Sequence, residues 1–433
     1  MQAEIEITGI GRSGEGVGRH EGLVLFVPGA VPGDLCLVTY TQDRKQMARA
    51  RLLRIVRPSA DRVAPPCAVF GRCGGCQLQA ISYPAELREK TRTVQDALRR
   101  IGRLDADVAP CIGPEDPYAY RAKVSWPVRK QNGVARIGLF AAQSHEIVEQ
   151  DDCSVAAPSL RLLPEILRRA MAELGISAYD GQGGILRHAV ARRARSGDIL
   201  LTLVATSDEA RLAALAERVM TQDPDVVGVA VSLNEDPGNR IFGGPARLLA
   251  GRGEITEEIL GLRFSIGPTS FFQVHPGAAE HLFAKALEFA GSAGGETALD
   301  LYTGVGVLAL LLAREGYDTF GVEYAPDAVA LARRNAERNG LRATFSVGDA
   351  QKAPLPRGVG LLTLDPPRGG APELARRLAA EGPARIVYVS CDPATLARDA
   401  RVLADGGYRL GRVQPIDLFP RTVHVETVAE FVR

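Results

Sequence analysis

The chain has 433 residues, of which 46% are hydrophobic and 24% charged, a composition typical of a soluble globular protein. This length exceeds what one hydrophobic core usually organises, so two or three domains are expected. The first residues, MQAEIEITGI, lack the basic start and apolar run of a signal peptide, and no apolar stretch is long enough to span a membrane. We therefore expect a cytoplasmic protein. The formal net charge of +1 excludes no class of partner.

Residues 1–58 are predicted to form a small β-barrel, because apolar and polar residues alternate between glycine and proline turns. The run that follows Tyr40 has a local excess of basic residues, which suits contact with phosphate groups. Its members are Arg44, Lys45, Arg49, Arg51, Arg54, Arg57 and Arg62. A small barrel with a basic face is typical of OB-like nucleic-acid-binding folds. The segment also resembles the TRAM module of RNA-modifying enzymes in its GEGVGR and VPGAVPGD stretches.

Residues 59–265 are predicted to form a central α+β domain. Within it, 85–102 carries apolar residues at helical spacing and ends at a glycine, which predicts an amphipathic helix. A second local excess of basic residues follows later and predicts further RNA-facing surface. Its members are Arg187, His188, Arg192, Arg193 and Arg195.

The cysteines indicate a metal site rather than disulfide bonds. There are seven, an odd number, in a chain without a secretory signal. Cys67, Cys73 and Cys76 lie on one glycine-rich loop, and Cys153 follows much later. Four thiolates suit either a tetrahedral zinc ion or a [4Fe–4S] cluster, and the spacing alone leaves both open.

Residues 266–433 alternate strands and helices, which predicts a doubly wound parallel sheet with its ligand site at the carboxyl ends of the strands. The run 299–307 is a strand entering a glycine turn and an apolar helix, where free backbone amides can meet a ligand. Glu323 ends the next strand and is suited to bind ribose hydroxyls. Alone, this pattern fits a nicotinamide dinucleotide as well as S-adenosylmethionine.

Three further residues predict the chemistry. Asp365 ends another strand and precedes two prolines, a sequence frequent in base methyltransferases. Cys391 follows a buried strand and precedes a helix, whose dipole is expected to lower the pKa of the thiol. Glu426 lies between apolar residues on the last strand pair. Carbon 5 of uracil becomes nucleophilic when a thiolate adds to carbon 6, and a base must then remove the carbon 5 proton.

Taken together, these motifs resemble the uracil-5 RNA methyltransferase family over nearly the whole chain. The motifs are SFFQ at 270–273, DLY at 300–302, DPPR at 365–368, SCDP at 390–393 and HVETV at 424–428. The resemblance implies a multidomain α/β protein with an N-terminal barrel, a central α+β domain and a C-terminal class I, Rossmann-like methyltransferase domain.

The resemblance also implies roles for single residues. Cys391 would be the nucleophile and Glu426 the base. S-adenosylmethionine would be bound by Gln273, Tyr302, Glu323 and Asp365. The four cysteines would hold a [4Fe–4S] cluster. Val307 departs from the family, which often has a polar residue there.

The partner implied is RNA, with 23S rRNA favoured over tRNA, and the protein is expected to be a monomer. Three other interpretations are weighed against this one. A cytosine-5 or amino-directed base methyltransferase, a non-catalytic RNA-binding protein and a nicotinamide oxidoreductase with an iron–sulfur centre each explain part of the sequence. Amine-directed methylation has no use for the pairing of Cys391 with Glu426, and an intact pair argues against a non-catalytic protein. Cytosine-5 enzymes do use a cysteine nucleophile, usually within a different local motif, and the barrel argues weakly against the oxidoreductase.

Overall fold

The computed structural model describes residues 1–41, 46–236 and 238–433. Arg44 and Lys45 of the first basic run lie outside these residues. None of the described helices is both long and apolar enough to cross a membrane.

The N-terminal segment closes into a five-stranded barrel with the strand order β1-β2-β3-β5-β4. Its strands are β1 (Gln2–Ile10), β2 (Gly16–His20), β3 (Leu23–Val27), β4 (Leu35–Tyr40) and β5 (Met47–Arg57). Alternate residues of β1 point inward, so Ile5 and Ile7 are buried while their neighbours face solvent. Buried Asp34 ties the barrel to the chain that follows it, since its carboxylate accepts from the amides of Val31 and Ser59 and from Arg62.

The middle of the chain is built on a six-stranded sheet with the order β13-β12-β11-β10-β6-β7. The strands are β6 (Lys123–Gln131), β7 (Val134–Ile137), β10 (Leu186–Arg193), β11 (Ile199–Ala205), β12 (Val226–Leu233) and β13 (Arg247–Gly251). Helices α2 (Leu163–Leu174) and α3 (Arg211–Gln222) pack against it through buried leucines. Two short pairs complete this region: β8 (Leu139–Phe140) with β9 (Ile147–Val148), and β14 (Ile255–Ile259) with β15 (Leu262–Ile266).

The C-terminal region is a seven-stranded sheet with the order β18-β17-β16-β19-β20-β22-β21. Its strands are β16 (Thr297–Leu301), β17 (Asp318–Glu323), β18 (Ala343–Val347), β19 (Val359–Leu364), β20 (Arg385–Ser390), β21 (Arg409–Ile416) and β22 (Glu426–Val432). The first five are parallel and the last two form an antiparallel hairpin. The helices are α4 (Pro276–Ala290), α5 (Val307–Arg314), α6 (Pro326–Arg338), α7 (Pro372–Glu381) and α8 (Pro393–Asp405). This multidomain α/β architecture confirms the predicted fold class.

Two segments that precede residue 266 pack against the C-terminal sheet. Helix α1 (Tyr83–Ala97) and the π-helical turn Leu98–Gly102 lie on α8, and Val94 and Leu98 share a core with the sheet. A side chain at Gly102 would meet the carbonyl of Ala397, so the glycine permits this close approach. The β14–β15 hairpin likewise shares its core with α4, α5 and α6. Ile101, whose position in the helical pattern predicts burial, is 48% exposed.

Candidate functional site

A cavity opens at the carboxyl ends of β16 and β19. Three of the four predicted cofactor residues, Gln273, Tyr302 and Asp365, line it together. Tyr302 and Asp365 meet because the carboxyl ends of the parallel strands β16 and β19 share one edge of the sheet, whereas Gln273 comes from the segment between β15 and α4. Val307 is also in the lining, so the departure from the family pattern makes this part of the wall apolar.

The glycine turn after β16 has the backbone geometry that close ligand approach requires. Gly304 and Gly306 have φ angles of 57° and 88°, and a side chain at Gly306 would also press against Phe345. Tyr302 adopts a φ of 63°, a strained conformation for a residue with a side chain and one that often marks a binding site. Glu323 is joined to this turn, since its carboxylate accepts from the amide of Gly304 at 3.1 Å.

Asp300 is a cavity residue to which the sequence assigned no role. It is buried and accepts hydrogen bonds from the hydroxyls of Thr303 and Thr363, each at 2.6 Å. Burial raises its pKa to about 6. Its position in the DLY motif is the signal that could have identified it.

Cys391 and Glu426 meet through the antiparallel pairing of β20 with β22. Ser390, the last residue of β20, pairs with Thr427, so Cys391 and Glu426 are the next residues at the end of the paired stretch. The Glu426 carboxylate lies close enough for its charge to act on the thiol. Glu426 is 4% exposed, so it is not an ordinary solvent-facing strand residue.

The expected lowering of the Cys391 pKa is wrong. Burial and the neighbouring carboxylates of Glu426 and Asp365 raise the pKa of the thiol to about 11, although Arg368 acts in the opposite direction. The free amides at the start of α8 do not donate to the Cys391 sulfur. The amides of Ala394 and Thr395 donate instead to the Asp392 carboxylate, which caps the helix.

The two nearby carboxyl groups hold their protons more strongly than usual. Burial, followed by the charge of Asp365, raises the pKa of Glu426 well above its ordinary value. Burial and the charge of Asp300 raise the pKa of Asp365 to about 7. The site is therefore a partly desolvated group of carboxyls beside one thiol, an arrangement suited to proton transfer near neutral pH.

The four predicted metal-binding cysteines line one cavity together with Arg121. Cys73 is held in place because the Gly74 amide donates to the Phe140 carbonyl, and Cys153 is brought in where the Arg121 amide donates to Val155. No carboxylate lines this cavity within the described part of the chain. Among the described residues, no group of three or more His, Cys, Asp or Glu side chains is arranged to hold a single metal ion.

The two basic runs have different structures. On β5, Arg49, Arg51, Arg54 and Arg57 are exposed, in agreement with a basic barrel face. The prediction that the second run forms RNA-facing surface is wrong for Arg187, His188 and Arg192, which are at most 8% exposed. Both faces of β10 are covered, so these side chains are used inside the protein.

A groove that is open to solvent runs between the barrel and the cysteine loop and reaches His424. Its walls come from several separate parts of the chain, which suits an extended, macromolecular ligand. The barrel also approaches the reacting edge of the sheet, since Arg12 forms a 3.3 Å ion pair with Asp392, next to Cys391. Arg368 contacts the ring of His424 at 3.1 Å on the same side.

Comparison with known proteins agrees with this geometry. The family model for the TRAM domain matches residues 2–53, that for a methyltransferase domain 298–361, and that for tRNA (uracil-5-)-methyltransferase 359–431. An uncharacterized RNA methyltransferase of Halalkalibacterium halodurans is 40% identical over 439 residues, covering 98% of this chain and 96% of the relative. One from Thermosynechococcus vestitus is 39% identical over 434 residues, covering 98% and 97%.

A solved structure extends the similarity to the whole fold. The Pyrococcus abyssi tRNA (uracil-54, C5)-methyltransferase, in complex with S-adenosyl-L-homocysteine, is 29% identical to this chain. The match has a TM-score of 0.79 and covers 100% of both chains. The interpretation of the glycine turn as a nicotinamide site is thereby set aside. The chain belongs to the uracil-5 RNA methyltransferase family and is an S-adenosylmethionine-dependent enzyme that acts on RNA.

Proposed function

We propose that the protein methylates carbon 5 of a uridine in RNA, with Cys391 as the nucleophile and Glu426 as the base. The observation that carries the proposal is the pairing of β20 with β22, which ends next to Cys391 and the buried Glu426 and so brings them together beside Asp365 of the cofactor cavity. A reaction limited to amine methylation needs no such pair. A non-catalytic RNA-binding protein needs neither residue.

The reaction starts at the thiol. Cys391 loses its proton to solvent as its sulfur bonds to carbon 6 of the uracil, and the ring becomes an enolate that is nucleophilic at carbon 5. S-adenosylmethionine, when bound, supplies an electrophilic methyl group to that carbon. Glu426 then takes the proton from carbon 5, and the bond between sulfur and carbon 6 breaks. Glu426 passes this proton to the Cys391 thiolate, so both residues return to their starting state. One proton is released to solvent per methyl group transferred.

The cofactor is held, in this proposal, by the cavity that Gln273, Tyr302 and Asp365 line and by Glu323 beside it. The Glu323 carboxylate accepts from the amides of Gly304 and Ala325 and keeps further lone pairs for ribose hydroxyls. Asp365 serves both ends of the site, because it lines the cofactor cavity and its charge raises the pKa of Glu426.

We further propose that Cys67, Cys73, Cys76 and Cys153 bind a [4Fe–4S] cluster. The cavity they share supports this assignment, as does Arg121, whose positive charge has no carboxylate beside it there. A partly buried cation without a negative partner is costly, and four thiolates with a cluster supply net negative charge. The zinc alternative requires four sulfur atoms only about 3.8 Å apart, because the bonds are 2.3 Å long and tetrahedral. Among the described residues, no such group is arranged around a single metal ion. The cluster itself supplies electron-transfer chemistry, which the methylation does not need, so its role is structural.

For the substrate we propose 23S rRNA, held between the barrel of residues 1–58 and the cysteine loop of the central unit, 59–265. The target base reaches the unit 266–433 unpaired, because a uracil in a duplex hides both faces of its ring. The second candidate is tRNA, which the similarity to the Pyrococcus abyssi tRNA enzyme favours.

The test is an incubation of anaerobically purified protein with methyl-labelled S-adenosylmethionine and unmodified total RNA. The RNAs are separated and the labelled nucleoside is identified, with Cys391→Ala in parallel. We expect label in 5-methyluridine of 23S rRNA that the substitution abolishes. Label in tRNA would keep the reaction and replace the substrate. Label in another nucleoside, or activity that survives in Cys391→Ala, would refute the proposed mechanism.

A further inference from the structure

The segment 268–275 joins β15 to α4 and forms one wall of the cofactor cavity. Phe271, Phe272 and Gln273 line that cavity, yet the segment belongs to neither a helix nor a strand. Its conformation therefore depends on contacts made by other parts of the protein.

The central sheet supplies these contacts from three adjacent strands. The Ala122 amide, just before β6, donates to the Val274 carbonyl at 2.8 Å. On β11, the Thr202 hydroxyl donates to the Pro268 carbonyl at 3.1 Å. From β10, between them, Arg192 donates from Nη1 to the carbonyl of Phe272 at 3.2 Å and from Nη2 to that of Ser270 at 3.4 Å.

Arg192 is the member of this set that is costly to bury. It is 6% exposed, and burial lowers its pKa to about 10. Glu257, whose charge partly offsets this burial, forms its ion pair with Arg195 and accepts from the Arg195 amide. Among the described residues, the side-chain hydrogen bonds of Arg192 go only to the cavity wall. Burying a guanidinium is costly, and the cost is offset where its N–H groups donate to well-placed acceptors.

We propose that Arg192 is a positioning residue that holds the segment Ser270–Gln273 in the conformation that binds S-adenosylmethionine, and so makes the cofactor site depend on the central domain. The inference rests on the proposed assignment of the cavity to the cofactor. The forked guanidinium binds the carbonyls of Ser270 and Phe272 at once, so it fixes the backbone on both sides of Phe271. It thereby also fixes the backbone next to Gln273, whose side chain lines the cavity.

The test compares Arg192→Met, Arg192→Lys and Arg195→Met with the wild type. Methionine keeps most of the volume but donates no hydrogen bond, so the segment samples other conformations and only a fraction of molecules binds cofactor. We expect the Kd for S-adenosylmethionine, measured by calorimetry, to rise about tenfold or more in Arg192→Met. The kcat at saturating cofactor should stay within about threefold of the wild type, because the reacting residues are intact.

Arg192→Lys keeps the charge but replaces the fork with one ammonium group, so its Kd should lie between those of the wild type and Arg192→Met. It also serves if the methionine variant does not fold. Arg195→Met is the control. Arg195 is an exposed arginine two residues beyond the end of β10, and it pairs with Glu257 and Glu280. Its replacement should leave the Kd unchanged. Gln273→Ala tests the cavity itself.

The outcomes separate the two ideas. If Gln273→Ala raises the Kd and folded Arg192→Met or Arg192→Lys does not, the positioning role is wrong and the cavity assignment stands. If Gln273→Ala leaves the Kd unchanged, the cavity assignment is wrong and the inference falls with it. A fall in kcat with an unchanged Kd in the Arg192 variants would also overturn the positioning role.

Discussion

At the scale of single residues, the proposed roles of Cys391 and Glu426 predict a covalent intermediate that purely structural roles would not. If Glu426 removes the carbon 5 proton, Glu426→Gln should still allow sulfur addition and methylation but prevent elimination. We expect a covalent adduct between protein and methylated RNA, seen as a slower band on a denaturing gel. Cys391→Ala should form none, and Cys391→Ala combined with Glu426→Gln should match it. Normal turnover without adduct in Glu426→Gln would exclude this residue as the base.

The raised pKa of Cys391 gives a pH dependence with a definite sign. A thiol with a pKa of about 11 is mostly protonated at neutral pH, and its reactive thiolate grows about tenfold per pH unit below that value. Alkylation of Cys391 by iodoacetamide should therefore keep accelerating from pH 7 to pH 10, as followed by mass spectrometry of its peptide. Arg368→Met removes the positive charge that lowers the pKa of the thiol and should reduce the rate at pH 8. A plateau below pH 8 in the wild type would contradict the raised pKa.

These residues also show what a sequence can and cannot predict at this scale. Cys391 and Asp365 are identifiable because a polar residue at the end of a buried strand falls at the ligand edge of a parallel sheet. The direction of the Cys391 pKa shift cannot be identified in this way, since it depends on burial and on the carboxylates of Glu426 and Asp365. These groups come from the start of β22 and the end of β19, which are far apart in the chain.

At the scale of elements, helix α1 is fastened to the segment before β22 by buried charges. Lys90 of α1 lies within 2.8 Å of Glu86 and 2.7 Å of Asp417, and all three are at most 2% exposed. Glu86 also accepts from the amide of Arg421 at 2.8 Å. This group fixes the chain that leads through His424 to Glu426, so it orients the proposed base without touching it.

The group predicts unequal effects of two substitutions on the same helix. Lys90→Met leaves the buried carboxylate of Asp417 without its cation and Glu86 with Arg421 alone, and should lower the free energy of unfolding by about 3–5 kcal/mol. Arg88→Met breaks an exposed ion pair with Asp61 and should cost at most about 1 kcal/mol. Urea unfolding followed by circular dichroism measures both. Equal losses would mean that the buried group is not stabilising.

For helices and strands, the sequence predicts which element forms better than it predicts what that element packs against. The apolar spacing of 85–102 is enough to predict α1, but it cannot say that the helix packs on α8 of the C-terminal region. For β10 the limit is different. A surface strand alternates between polar and apolar faces, whereas β10 is covered on both, so Arg187 and Arg192 resemble a basic surface in sequence and are buried in the fold.

At the scale of the whole molecule, three regions converge on one side. The barrel, the cysteine loop and the chain before β22 line the large groove, and Arg12 of the barrel pairs with Asp392 beside the nucleophile. An RNA in that groove would contact the basic barrel while its target base reaches Cys391. The cofactor cavity opens from the sheet edge instead, so RNA affinity and cofactor affinity should depend on different residues.

The exposed arginines of β5 test this division. Arg49 and Arg54 pair with Glu15 and Glu4, whereas Arg51 and Arg57 form no ion pair with residues the structure describes. Arg51→Ala with Arg57→Ala should raise the Kd for RNA about tenfold near physiological salt and reduce the slope of log K against log salt by about 1.4, or 0.7 per phosphate contact. The Kd for S-adenosylmethionine should not change. Replacing both with lysine keeps the charge and should keep affinity and slope. Parallel loss of RNA and cofactor binding in the alanine variant would show that the barrel stabilises the enzyme as a whole, and an unchanged slope would move the RNA contact to another face.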